Sequence, residues 1–215
     1  HECSSAASDV YKRQTYKGIL KNIKADQLGS IAIREVIKRS RINSDEIDEV
    51  IMGQVLTACN GQNPARQAAI NAGISISKPA YMVNQVCGSG LRSVISGYQS
   101  IKLGGAKKVI SGGQENMSLA PHSIYYREEK KISHDKLIDT MIHDGLLDAF
   151  NNYHMGVTAE NIAEKFEILR DAQDNFALSS QKKAQKAIEN DKFKDELVDV
   201  KTVSYTHLRA HETTD

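Results

Sequence analysis

The residue types best suited to chemistry fall in one short run, Asn84-Gln85-Val86-Cys87-Gly88-Ser89-Gly90-Leu91. The weakly alternating stretch from Ala80 to Val86 predicts a strand, and the apolar period after Gly88 predicts a helix from about Ser89. Cys87 therefore sits between a strand end and a helix N-terminus. Unpaired amides and the helix dipole at such a terminus favour an anion. A thiolate is an anion, so the position is expected to lower the cysteine pKa and raise its reactive fraction. Gly88 and Gly90 permit a tight turn and close approach of substrate to backbone. The Cys87 N–H is placed to help stabilise an oxyanion on an attacked carbonyl. Free cysteine also packs well as a small hydrophobe. The run alone thus leaves two readings open, a nucleophile or a structural thiol.

Other chemistry-bearing residues give weaker signals. The cysteines are Cys3, Cys59 and Cys87. None forms a Cys-x-x-Cys pair, and no His/Cys cluster has zinc spacing, so no metal site is expected. An odd, sparse set does not build a disulfide framework and fits a reducing compartment, the cytoplasm. Cys59 lies in a loop and takes no role. His122, His134 and His143 sit among polar residues and read as solvated. Lys182, Lys183 and Lys186 read as a solvated helix face. His154 and Met155 have either a packing role or a binding role on local pattern alone.

The elements that must position these residues alternate. Leu28, Ala32, Ile33, Val36 and Ile37 share a helical face, which predicts a helix from Ala25 to about Ser40. Glu49 to Val55 reads as a strand. Asn63 caps and Pro64 opens a helix that stops at Gly73. After the Ala80–Val86 strand, the helix from Ser89 to Leu103 places Leu91, Val94, Ile95, Tyr98 and Ile101 on one face. Lys108 to Ser111 is a strand that enters Gly112-Gly113. Such alternation predicts an α/β sheet with helices on its faces. The segment from Pro121 to Asp139 is polar and reads as a long excursion. Helices follow over about Thr158–Phe166 and Arg170–Asn190, the second with Phe176, Ala177, Ala184, Ala187 and Ile188 as a buried stripe.

Asn84 to Arg92, together with Gly61 to Ala68, Ser111 to Ser118 and Tyr153 to Asn161, resembles the thiolase family, of the acetyl-CoA acetyltransferase type. The blocks are Asn84 to Arg92, Ser111-Gly112-Gly113-Gln114-Glu115-Asn116-Met117-Ser118, and Gly61-Gln62-Asn63-Pro64-Ala65-Arg66-Gln67-Ala68. Gly53-Gln54-Val55, Asp144-Gly145-Leu146, Asp148-Ala149-Phe150, Tyr153-His154-Met155-Gly156 and Thr158-Ala159-Glu160-Asn161 extend it. The resemblance runs from about Thr15 to about Val200, roughly the N-terminal half of a family member. It implies a thiolase-like mixed sheet with helices on both faces, plus part of a helical and loop domain.

The resemblance also implies a reaction. Cys87 becomes the nucleophile that carries an acyl group, with coenzyme A as a substrate and no tightly bound cofactor. Acetyl-CoA and acetoacetyl-CoA are the implied partners. Leu146, His154 and Met155 are the implied substrate-binding residues, with Met155 limiting chain length. A longer-chain 3-oxoacyl-CoA thiolase, or a non-catalytic acyl-CoA-binding relative, is the alternative. The segment Pro121–Asp139 resembles the family's tetramerisation region, so a homotetramer is expected. The family takes a histidine from a Gly-His-Pro motif, a second cysteine and an asparagine from later motifs, and none occurs here. Each missing proton-transfer group is worth roughly 10²–10⁴ in rate, so the chain by itself is expected to be inactive.

Bulk properties bound the rest. A net charge of +1 gives no argument for nucleic acid. No run of about 18 apolar residues predicts a membrane span. Residues 1–14 and 203–215 break from the pattern between them and are expected to be non-native flanks. The expected organisation is then 15–118 as the α/β domain, lacking its first strand, and 119–202 as a partial loop domain with return helices.

Overall fold

The computed structural model describes residues 16–126 and 137–201, and the backbone of 207–208. Residues 1–14 and most of 203–215, the expected flanks, lie outside the described residues. So do His134 and the middle of the Pro121–Asp139 excursion. The chain divides into two compact units, Lys21–Leu146 and Leu147–Asp215 with His1–Leu20. No helix among the described residues is long and apolar enough to cross a membrane.

The first unit is built on three parallel strands, β1 (Glu49–Gly53), β2 (Ala80–Val83) and β3 (Val109–Gly113), in the order β2-β1-β3. Parallel neighbours need crossovers, and helices supply them. Helix α1 (Ala25–Ser40) precedes β1, α2 (Pro64–Asn71) links β1 to β2, and α3 (Ser89–Lys102) links β2 to β3. Asn63 caps α2 as its sequence predicts, accepting from the Arg66 amide at 3.0 Å.

Strand β1 is central, and its side chains alternate between two covered faces. Val50 and Met52 join Ile33 of α1, Ala65, Ala68 and Ala69 of α2, and Ile110 of β3 in the core. Ile51 and Gly53 take the opposite face, where Gly53 meets the first turn of α3. The register pairs Gly53 with Val83 on one side and with Gly113 on the other. The sheet thus ends evenly at the edge from which Cys87 leaves. Strand β3 runs on through Gly112-Gly113, beyond the expected Ser111, because both glycines pair with β1.

Helix α3 overturns one expectation. Its buried residues are Ser89, Ser93 and Gly97, four apart along the helix. The apolar stripe faces away: Leu91 is 68% exposed and Tyr98 61%. Small residues win the sheet-facing side because the helix lies very close to it. A Cβ on Gly97 would fall 2.4 Å from Ser111 Oγ. Ser93 Oγ lies 2.7 Å from the carbonyl oxygens of Gly90 and Gly112.

The first unit ends in features the sequence did not announce. The two-residue strands β4 (His122–Ser123) and β5 (Ile138–Asp139) pair antiparallel. A short helix, α4 (Thr140–Gly145), follows, capped by Asp139, whose carboxylate accepts from the Met141 amide at 2.9 Å.

The second unit contains α5 (Met155–Lys165), α6 (Arg170–Glu189) and a pairing of β6 (Val200–Lys201) with β7 (His207–Leu208). Helix α5 starts three residues before the expected Thr158, because His154 caps it. The buried stripe expected on α6 reduces to Ala184, while Phe176 is 78% exposed.

Candidate active site

Strand β2 stops at Val83, three residues short of the expected Val86. The chain then makes a tight turn rather than passing straight into α3. Asn84 Oδ1 accepts from the Val86 amide at 2.9 Å, and the Gly88 amide donates to the Gln85 carbonyl at 3.0 Å. Ser89 braces the turn from the helix side. Its Oγ accepts from the Gln85 amide at 2.9 Å and donates to the Val86 carbonyl at 2.6 Å. Ser89 itself is buried.

Within this turn Val86 has φ +48°. A β-branched residue avoids the left-handed region, and holding it there costs on the order of 1–3 kcal/mol. The surrounding hydrogen bonds fix it in place. The next residue, Cys87, is exposed and carries a free thiol. Helix α3 begins two residues later, with Gly88 as its N-cap and no side chain closing the end. Cys87, Gly88 and Gly90 are thus brought into one turn at the C-terminal edge of a parallel sheet, where α/β folds place ligands.

The first turn of α3 rests on the strand ends. A Cβ on Gly53 would lie 2.4 Å from the Ser89 carbonyl carbon and 2.6 Å from the Gly90 nitrogen. A Cβ on Gly113 would lie 3.5 Å from Gly90 Cα. Glycine is required at Gly53 by this approach, since any side chain would displace the turn that carries Cys87.

A buried polar network secures those strand ends. Gln114 Nε2 donates to Gln54 Oε1 at 2.9 Å, and Gln54 Nε2 donates to the Leu56 carbonyl at 2.9 Å. The Gln114 amide donates to the Gly53 carbonyl at 3.0 Å. Glu115 Oε2 accepts from the amides of Val55, at 2.8 Å, and Leu56, at 3.1 Å. Burial raises the Glu115 carboxyl above its ordinary range, partly opposed by the Val55, Leu56 and Asn116 amides. Sequence reasoning gave no part to Val86, Ser89 or Glu115. A carboxylate two residues beyond a parallel strand that ends in two glycines is the signal that points to Glu115, since a buried charge needs fixed donors.

The other predicted residues lie elsewhere along the chain. Leu146 is the half-buried C-cap of α4, in the first unit. His154 and Met155 belong to the second unit and are exposed. His154 Nδ1 accepts from the Gly156 amide at 3.0 Å, which leaves Nε2 as the ring's donor. Asp148 shapes the turn before it, accepting from the Phe150 amide at 3.0 Å and the Asn151 amide at 2.6 Å. Those amides hold the Asp148 carboxyl below its ordinary range. Among the described residues, no group of three or more His, Cys, Asp or Glu side chains is placed to hold a metal ion.

Comparison with known proteins agrees with this architecture. A profile described as thiolase, N-terminal domain, matches residues 8–213. The acetyl-CoA acetyltransferase of Pseudomonas aeruginosa is 50% identical over 187 residues, covering 86% of this chain and 48% of that protein. The acetyl-CoA acetyltransferase of Paracoccus denitrificans is 52% identical over 186 residues, covering 86% and 48%. A probable acetyl-CoA acetyltransferase of Escherichia coli K12 is 50% identical over 190 residues, covering 88% and 48%. The chain spans about half the length of these curated relatives. A β-α sheet that ends in a braced cysteine turn, and a profile match over nearly the whole chain, establish that this chain belongs to the thiolase family and carries its N-terminal domain.

Proposed function

We propose that the complete protein transfers acyl groups through Cys87, joining two acetyl-CoA molecules to acetoacetyl-CoA or running the reverse thiolysis. The observation that carries this reading is an exposed thiol at the head of α3, held by a strained and fully braced turn. Strain kept in place by surrounding bonds clusters at functional sites. The names of relatives at about half identity support the substrate class.

The chemistry runs in two steps. Cys87 Sγ attacks the acetyl-CoA carbonyl carbon, the bond to the coenzyme A sulfur breaks, and coenzyme A leaves as a thiol with the proton that Cys87 gave up. In the second step the α-carbon of another acetyl-CoA loses a proton and attacks the acyl-cysteine carbonyl. The bond between the acyl carbon and Cys87 Sγ breaks, acetoacetyl-CoA forms, and the released sulfur takes up the proton lost from the α-carbon, which restores the Cys87 thiol. The positive N-terminal end of α3 favours the oxyanion character that develops on the attacked carbonyl. Coenzyme A enters as a substrate rather than a resident cofactor.

Leu146, His154 and Met155 are proposed to contact the pantetheine and acyl portions, with Met155 limiting chain length. A homotetramer through the 121–139 segment and a reducing, cytoplasmic setting complete the proposal. The free thiols of Cys59 and Cys87 fit such a setting.

The test is acylation of the complete protein with labelled acetyl-CoA, followed by peptide mapping. Label on the Cys87 peptide, lost in Cys87→Ala, is expected. Acetyl-CoA binding with no label at Cys87 would replace this reading with a non-catalytic binder.

A further inference from the structure

We infer that Glu115 is a positioning residue for Cys87, acting by clamping the backbone after β1 so that Gly53 supports the first turn of α3. The inference rests on the acyl-transfer reading of Cys87, and it assigns a task to a carboxylate that does not touch the reacting sulfur.

Three observations connect the two residues. First, Glu115 Oε2 receives both the Val55 and Leu56 amides, at 2.8 and 3.1 Å, from across the β1–β3 pair. The adjoining Gln114 amide takes the Gly53 carbonyl at 3.0 Å, and the Gln54 amide donates to the Val83 carbonyl at 3.2 Å. The end of β1 is therefore tied to both neighbouring strands. Second, the Gly53 backbone lies directly against Ser89 and Gly90, with no room for even a methyl group. Third, Ser89 Oγ bonds to Gln85 and Val86 on either side of the strained position before Cys87. A shift of the 53–56 segment passes through Ser89 into the turn.

The arrangement also explains why a long side chain ending in an acceptor oxygen occupies this buried site. One oxygen accepting two adjacent amides holds the chain at two consecutive residues, which a hydroxyl on a short side chain at this distance from the strand does not do. Glu115 Oε1 is buried and makes no hydrogen bond of normal geometry among the described residues. The clamp is thus carried by Oε2, so an amide side chain, which keeps an acceptor oxygen, should replace it.

The experiment compares Glu115→Ala, Glu115→Gln and Glu115→Asp in the complete enzyme. The readouts are kcat, KM and the pH profile of Cys87 alkylation by iodoacetamide, resolved by peptide mapping. Glu115→Ala is expected to lower kcat by about tenfold or more with KM little changed, since small misplacements of a reacting group carry large rate costs. It should also shift the alkylation profile. Glu115→Gln should keep both near wild type. If Glu115→Ala does not fold, Glu115→Asp, which shortens the reach by one methylene, should show the same changes in weaker form. Wild-type kcat and alkylation profile in a folded Glu115→Ala or Glu115→Asp protein would overturn the clamp. So would Glu115→Gln losing as much as Glu115→Ala, because charge rather than position would then matter. Failure of the acyl-transfer reading is seen separately, as acyl transfer surviving in Cys87→Ala, which leaves no nucleophile at that position.

Discussion

Gly53 and Ser89 are in backbone contact: a Cβ on Gly53 would fall 2.4 Å from the Ser89 carbonyl carbon. Gly53→Ala must therefore move the end of β1 or the start of α3. Overpacking of this kind costs about 1–3 kcal/mol. A lower urea midpoint is expected, together with a loss of kcat approaching about 100-fold as Cys87 is displaced. Wild-type alkylation of Cys87 in the alanine variant would show that the contact relaxes without reaching the turn.

Glu115 carries a charge cost at neutral pH. Its carboxyl is raised from 4.5 by burial. A group raised on folding contributes stability that is fully present below the unfolded value and lost as pH rises through the folded one. Glu115→Gln removes the charge and keeps an acceptor, so it should unfold at higher urea than wild type at pH 7. The gap should close toward pH 4. A gap independent of pH would assign the effect to something other than ionisation.

Asp48 has the opposite sign. Its carboxylate accepts from the Lys107 amide at 2.7 Å and the Lys108 amide at 2.9 Å, joining the start of β3 to the start of β1. Those bonds lower its carboxyl from 3.8. Its contribution is present above that value and lost as pH falls through the lowered one. Asp48→Asn should be less stable than wild type at pH 7, with the difference shrinking in acid. Urea melts between pH 7 and pH 3 measure this directly.

His154 caps α5 through Nδ1. Loss of a side-chain cap costs about 1 kcal/mol. His154→Ala should speed hydrogen exchange at the Gly156 amide, and His154→Asn should restore protection. Their separation shows whether a change in acyl-CoA KM comes from the ring or from the helix start.

The sequence made the order of β1 to β3 and the helices between them legible, because short apolar runs alternate there with helical periods. Helix α1 matches its expected limits, and Asn63-Pro64 marks the start of α2. The cysteine turn was found but its geometry was not. Val86 reads as strand by propensity, and only the bonds from Asn84 and Ser89 force it to a positive φ. The orientation of α3 was misread for a related reason: periodicity identifies the apolar face but not which face the sheet accepts. Here close approach decides, and Ser89, Ser93 and Gly97 are the residues small enough to allow it. The network of Gln54, Gln114 and Glu115 was invisible because its members are distant in sequence and polar in type.

The same helix predicts how the 215-residue chain behaves in solution. Leu91, Val94, Tyr98 and Ile101 are all exposed on α3. An apolar patch of this kind promotes self-association. Replacing Leu91 and Tyr98 by lysine should reduce light scattering of the chain at micromolar concentration without changing its far-UV spectrum. Equal scattering in both would locate the association elsewhere.

The serine and glycine rail of α3 also inverts the usual pattern of tolerance to change. In a library of single substitutions selected only for folding of this chain, the large apolar positions should accept lysine and glutamate freely. The positions that look replaceable, Ser93 and Gly97, should accept almost nothing larger than alanine. Gly97 should reject even that, because Ser111 Oγ already occupies the place of a methyl group. Hydropathy would then be a misleading guide to constraint along this helix, and side-chain volume a good one.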